Sequence, residues 1–184
     1  MKGVIFTEFL EMVEEAFAPE MVDQIIELSQ LSSDGAYTSL GNYSHHEILQ
    51  LVTHLSQQTD IPISELVKEF GKHLINRFAF AHPDFFTQAE STFAFMESVD
   101  RNVHIEVKKL YQNANPPSFE YSHPESGKLM MTYRSKRPFS DLAEGLILGA
   151  VEYFGENITV ARQDIAVEQG AETQFTLTKG KRNE

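Results

Sequence analysis

The feature that most limits what this chain can fold into is a change of hydrophobic period at NANPP, Asn113 to Pro117. Before it, apolar residues recur every three or four positions, which places them on one face of a helix. After it come short stretches of β-branched or alternating residues, the pattern of strands. Helices first and a mostly β end point to an α+β fold, not to alternating units around a parallel sheet.

The helical part opens with Ile5, Phe9, Met12, Val13 and Phe17 at helical spacing, and a second helix after Pro19 carries Val22, Ile25, Ile26 and Leu28. SSDGAYTSLGNYS is rich in turn formers. Ser44 and Glu47 then make the S-x-x-E pattern of a capping box, opening a helix with Ile48, Leu51, Val52 and Leu55. A helix from about Pro62 to Phe80 carries Leu66, Val67, Phe70, Leu74 and Phe78. Gly71 inside it marks a close approach, ordinarily of a packed helix. HPDFF breaks the pattern, and a helix over roughly Val99–Gln112 follows. SFEYS, KLMMTYRS, NITVARQDIAV and TQFTLTK read as strands, with PFSDLAEGLILGAVEYFG between them as a helix ended by Gly155. Residues 1–184 read as one domain, helical over about 1–115 and mixed over about 116–184.

A net charge of −12 argues against nucleic acid and against an anionic membrane surface, both of which reward clustered Lys and Arg. With no cysteine, disulfides, Cys-ligated clusters, a thiol nucleophile and covalent haem attachment are excluded. The amino terminus is interrupted by Glu8, Glu11, Glu14 and Glu15, so it suits neither a signal peptide nor a membrane span, and a cytoplasmic location is expected. No phosphate-binding glycine loop and no G-x-S-x-G elbow occurs.

Among seven histidines, His45 and His46 are adjacent and would diverge on a helix, Glu69 and His73 form an i,i+4 surface pair, and His82 and His123 precede prolines. His104 differs. It flanks the apolar stripe Val99, Val103, Val107 and Leu110 beside Tyr111, a placement suited to a haem iron ligand. Tyr133, Ser135 and Arg137 alternate along a strand and would share one face at steps of about 6–7 Å, with Arg134 and Lys136 pointing to solvent. Each motif alone also fits a plainer reading, a half-exposed structural histidine and a solvated basic turn. Together they supply an iron ligand and, 29, 31 and 33 residues later, three donors for the two propionates of a non-covalent haem.

This pairing resembles the haem nitric oxide/oxygen binding (H-NOX) family, related to the haem domain of soluble guanylate cyclase. The family motif is Tyr-x-Ser-x-Arg at this distance from its iron-binding histidine. MKGVIF, EFGKHL, HIEVKKLY with NANPP, and EGLILGAVEYFG carry the likeness over nearly the whole chain. The resemblance implies a helical subdomain and an antiparallel sheet with packed helices enclosing haem b. It assigns His104 as the proximal ligand of ferrous iron and Tyr133, Ser135 and Arg137 as propionate binders. Pro117 corresponds to the family's proline that distorts the porphyrin.

In oxygen-binding members a tyrosine stands five residues after the motif arginine; here that residue is Leu142. Positions that assist it correspond to Phe9 and Leu74, with Ile5, Phe78 and Leu146 completing an apolar wall. The resemblance therefore implies NO as ligand, CO as a weaker one and O₂ disfavoured. It also implies a signal in which NO loosens His104, the porphyrin relaxes against Pro117 and the His104 helix shifts. The chain leaves no room for an output domain, so the implied partner is a separate histidine kinase or diguanylate cyclase. Zinc cysteines found in some bacterial relatives are replaced by Ala166 and Gln174 around Gly170, which argues against zinc. A haem enzyme lacks a distal acid–base group among these residues, and a haem-free acidic adaptor is the remaining alternative.

Overall fold

The computed structural model describes residues 1–99 and 116–180. Two compact units divide the chain at 1–70 and 71–184. The division falls inside one helix. A four-stranded antiparallel sheet accompanied by helices makes the fold α+β.

The first unit holds α1 (Gly3–Phe17), α2 (Pro19–Leu28), α3 (His45–Thr59) and the start of α4 (Ile63–Ala81). On α1 the buried face is Phe6, Phe9 and Val13. Phe6 was not among the expected face residues, yet it is fully buried and stacks on Tyr37 at 4.5 Å with Tyr43 edge-on at 5.5 Å. Burial of each such ring contributes about 1.5–3 kcal/mol.

The capping box at α3 is half made. Ser44 caps the helix by accepting from the His46 N–H at 3.3 Å. Glu47 turns inward instead, is 4% exposed, and accepts from Ser32 at 2.6 Å, Ser33 at 2.6 Å and Tyr37 at 2.8 Å. Residues 3–67 contain no Lys or Arg, so hydroxyls serve where a cation would otherwise stand. Burial alone would raise the Glu47 carboxyl, but the three hydroxyl donors outweigh it and hold its pKa below the ordinary 4.5. The turn-rich loop is thereby pinned to α3. At the helix start the His45 and His46 rings do not diverge but lie 4.2 Å apart.

The second unit holds the rest of α4, then α5 (Pro83–Thr87), α6 (Thr92–Ser98), β1 (Ser118–Ser122), β2 (Lys128–Ser135), α7 (Ser140–Phe154), β3 (Ile158–Ile165) and β4 (Ala171–Lys179). HPDFF does end α4, but His82-Pro83 at once starts α5, with proline at its first turn. Helix α6 was not expected: Ser91 caps it by accepting from the Ala94 N–H. With Thr92, Phe93, Phe95 and Met96 all buried, seven residues show no amphipathic period. The expected Val99–Gln112 helix lies outside the described residues, apart from Val99.

Strand order is β1-β2-β4-β3, antiparallel throughout. Leu129, Met131 and Tyr133 of β2 pair with Leu177, Phe175 and Thr173 of β4, and all six are buried. Helix α7 ends where expected, at Gly155 in the left-handed conformation. It lies against α4 backbone to backbone. A Cβ on Gly71 would fall 2.6–2.7 Å from Gly145 and Leu146 main-chain atoms, and one on Gly149 would fall 2.9 Å from the Lys72 Cα. Gly71 thus marks the close helix approach read from the sequence.

Replacing Glu47 with Ala should lower stability by about 2–4 kcal/mol, because buried hydroxyls lose a charged acceptor. The depressed carboxyl stabilises the fold above its unfolded pKa, and this contribution is lost as pH falls through the folded value. Denaturant titrations between pH 7 and 3 should therefore show a shallower acid loss for Glu47→Gln than for the native chain. Identical slopes would contradict this.

Candidate functional site

The Tyr-x-Ser-x-Arg stretch sits where β2 ends. Tyr133 and Ser135 belong to the strand, but β2 stops at Ser135, so Arg137 is not on the strand face as expected. The chain bends instead, and the Arg137 N–H donates to Ser135 Oγ at 3.1 Å. The three side chains still act on one another. Tyr133 is 3% exposed, with the Phe119 ring 5.6 Å away. Burial pushes its phenol up, while the Ser135 hydroxyl and the charge of Arg137 pull the other way.

The partners of the arginines are unequal. Arg134, on the opposite sheet face, bridges β1 and β4 through Glu120 at 2.7 Å and Glu172 at 3.0 Å. It is therefore paired rather than simply solvated, whereas Lys136 is exposed. Arg162 binds Asp141, Glu144 and Asp164. Arg137 is half-buried, and among the described residues no carboxylate meets its guanidinium. In a chain with 27 acidic and 15 basic residues, a half-buried cation left without a carboxylate fits an anion from outside the chain. Two hydroxyls beside it fit a carboxylate in particular.

The turn between β3 and β4 closes over this point. Gly170 has φ 82°, and a Cβ there would lie 2.1 Å from the Ser135 carbonyl oxygen. Only glycine allows that approach at that φ.

The expected apolar wall is placed as follows. Leu74 of α4 is buried; Phe78 one turn on, and Leu142 and Leu146 one turn apart on α7, are half-buried. α7 otherwise buries Ser140, Ala143, Gly145, Ile147, Gly149, Ala150 and Val151. In the first unit Ile5 is half-buried and Phe9 is buried edge-on to Phe70 at 5.3 Å. Pro117 is half-buried immediately before β1. His104 lies outside the described residues. Half-open Leu and Phe side chains, together with a guanidinium that meets no carboxylate among the described residues, suit a flat apolar group bearing carboxylates, which is the chemistry of a haem. Among the described residues no three His, Asp or Glu side chains form a metal-binding group, and no helix is long and apolar enough to cross a membrane.

The family model for haem-NO-binding domains matches residues 2–162. The chain belongs to this family. Its members are haem domains that sense gases, sensor modules and not catalysts. Among solved structures, the H-NOX protein from K. algicida, Fe(II) and unliganded, is 34% identical at a TM-score of 0.91, over 100% of this chain and 99% of its own. The H-NOX from Shewanella woodyi, with IWP-051 in the Fe(II)CO state, is 36% identical at 0.84, over 100% and 97%. An S. oneidensis H-NOX in the Fe(II)NO state, 24% identical at a TM-score of 0.87 over 98% and 100%, shares the fold. Comparison with curated proteins yields no match.

Sequence reading missed the residues around Tyr133. Thr173 faces it across β2 and β4, Asp164 faces Thr173 across β3, and Ser140 meets Thr173 at 2.7 Å. No local motif marks them, since they meet only through sheet register.

Gly170→Ala should cost about 2–4 kcal/mol, combining left-handed strain with a main-chain collision. Thermal unfolding measures it, and an unchanged midpoint would mean that the turn relaxes freely away from Ser135.

Proposed function

We propose that this H-NOX domain, acting as a single domain over residues 1–184, is a nitric oxide sensor. It holds haem b without a covalent bond and signals to a separate protein such as a histidine kinase or diguanylate cyclase. The Arg137 guanidinium carries this reading: half-buried, it has no carboxylate among the described residues in an acidic chain.

In this proposal Tyr133, Ser135 and Arg137 hold the two propionates. Tyr133 and Ser135 supply hydroxyl donors, and Arg137 supplies charge and a fork of N–H donors. On the family resemblance, His104 would hold the iron and Pro117 would bear on the macrocycle. Ferrous haem supplies the coordination position that a diatomic gas takes. Leu74, Phe78, Leu142 and Leu146 line the gas side and exclude water, and Ile5 and Phe9 are proposed for the same wall on the resemblance alone.

None of these six residues bears a side-chain donor. Retention of O₂ needs a hydrogen bond to the negative charge it acquires, whereas NO does not depend on one to the same degree. The wall therefore favours NO, with CO weaker and O₂ poorly held.

The reduced protein should give the same absorption spectrum under argon and in air, and a changed one on adding NO. A stable new spectrum in air would overturn the gas assignment while leaving the haem site intact. Arg137→Ala should weaken haem retention by about 1.5–3 kcal/mol, read as faster transfer to a haem scavenger. His104→Gly should lose haem unless imidazole is added; full retention without it would exclude His104 as the ligand.

A further inference from the structure

Helix α7 begins without the usual device. Its N-cap position is Phe139, whose side chain makes no cap hydrogen bond, yet this is the helix that carries Leu142 and Leu146. What fixes its first turn is a polar network reaching from the sheet.

Asp164 takes Arg162 in a fork, Oδ1 to Nε at 2.9 Å and Oδ2 to Nη2 at 3.0 Å. The guanidinium plane is then set, and its remaining nitrogen, Nη1, points at α7. It donates to Asp141 at 2.5 Å and to Glu144 at 2.8 Å, which lie one turn apart on one face of the helix. A second route leaves the same carboxylate. Asp164 Oδ1 accepts from the Thr173 hydroxyl at 2.8 Å, and the Thr173 and Ser140 hydroxyls meet at 2.7 Å. Thr173 has one proton and gives it to Asp164, so Ser140 is the donor to Thr173.

Ser140 and Thr173 are buried, and the Arg162 side chain is 23% exposed. Geometry and charge agree: the three carboxylates together raise the guanidinium pKa against the opposing effect of burial, and Arg162 in turn lowers that of Asp164. Residues 140, 141 and 144 are thereby all held, and Leu142 lies between them.

We infer that Arg162, oriented by Asp164 and assisted by Thr173, is a positioning residue that sets where Leu142 stands and so tunes gas escape from the haem. The inference rests on the reading of Leu142 as pocket wall. Asp141 also stands in the first turn of α7, where the helix dipole favours acids. Removing Arg162 therefore leaves Asp141 tolerated at the helix start, while neither Asp141 nor Glu144 is any longer tied to the sheet through the guanidinium.

The test compares Arg162→Met, Arg162→Lys, Thr173→Val and Leu142→Ala as haem-loaded proteins. Haem content, the rate of CO rebinding after photolysis and the rate of NO loss are measured, with amide hydrogen exchange over residues 140–146. Arg162→Met should keep its haem, exchange faster in the first turn of α7, and change the gas rates by roughly two- to tenfold. Arg162→Lys keeps the charge without the fork and should recover part of the native rate. Should Arg162→Met fail to fold, Thr173→Val carries the same expectation through the second route. Gas rates that stay native in the Arg162 and Thr173 variants but shift in Leu142→Ala would overturn the inference and spare the pocket reading. Rates native in all four would overturn both.

Discussion

Pairing of arginine with carboxylate across the sheet is the interaction on which the second unit depends. Arg134 on one face ties β1 to β4 through Glu120 and Glu172. Arg162 on the other ties β3 to α7 through Asp164, Asp141 and Glu144. Carboxylates far outnumber guanidinium groups in this chain, so an arginine that meets none among the described residues must be held away from them. The bend after Ser135 does this for Arg137. The site is thus defined as much by where acids are excluded as by the donors it collects.

Two kinds of contact frame that exclusion. Where α4 meets α7, Gly71 and Gly149 let the helices approach main chain to main chain. Where β2, β4 and β3 run side by side, Tyr133, Thr173 and Asp164 share a row across the sheet. The row changes from an aromatic ring through a hydroxyl to a carboxylate within three strands. The buried Thr173 hydroxyl in this row is tolerated because Asp164 and Ser140 satisfy it. The first unit meets the same requirement with other chemistry, serving Glu47 with three hydroxyls.

Much of the fold was legible because hydrophobic period reports local geometry directly. The four strands, the long helices among the described residues, the Gly155 stop and the role of Gly71 all follow from spacing. Errors arose where a residue had two uses. Glu47 matched a capping box by position, but a buried cluster of hydroxyls competed for it and won. Helix α6 is buried on nearly every side, so it carried no amphipathic signal. Arg137 continued a strand pattern that the Ser135 hydroxyl interrupts. At the site, the Tyr-x-Ser-x-Arg spacing was legible, since three donors lie within five residues. The residues supporting it were not, since Thr173, Asp164 and Arg162 reach Tyr133 and α7 only through pairings that no short stretch of sequence contains.

The position of Arg162 and Asp164 has one more consequence. Both lie on β3, an outermost strand of the sheet. A bare strand edge offers unpaired main-chain groups to any extended peptide, and folds commonly guard it with charges turned toward the sheet interior. A foreign strand laid along β3 would bury an ionic cluster already committed to other partners, at a desolvation cost that a few ladder hydrogen bonds do not recover. The pair that holds α7 in place therefore also keeps one copy of the protein from growing onto the next.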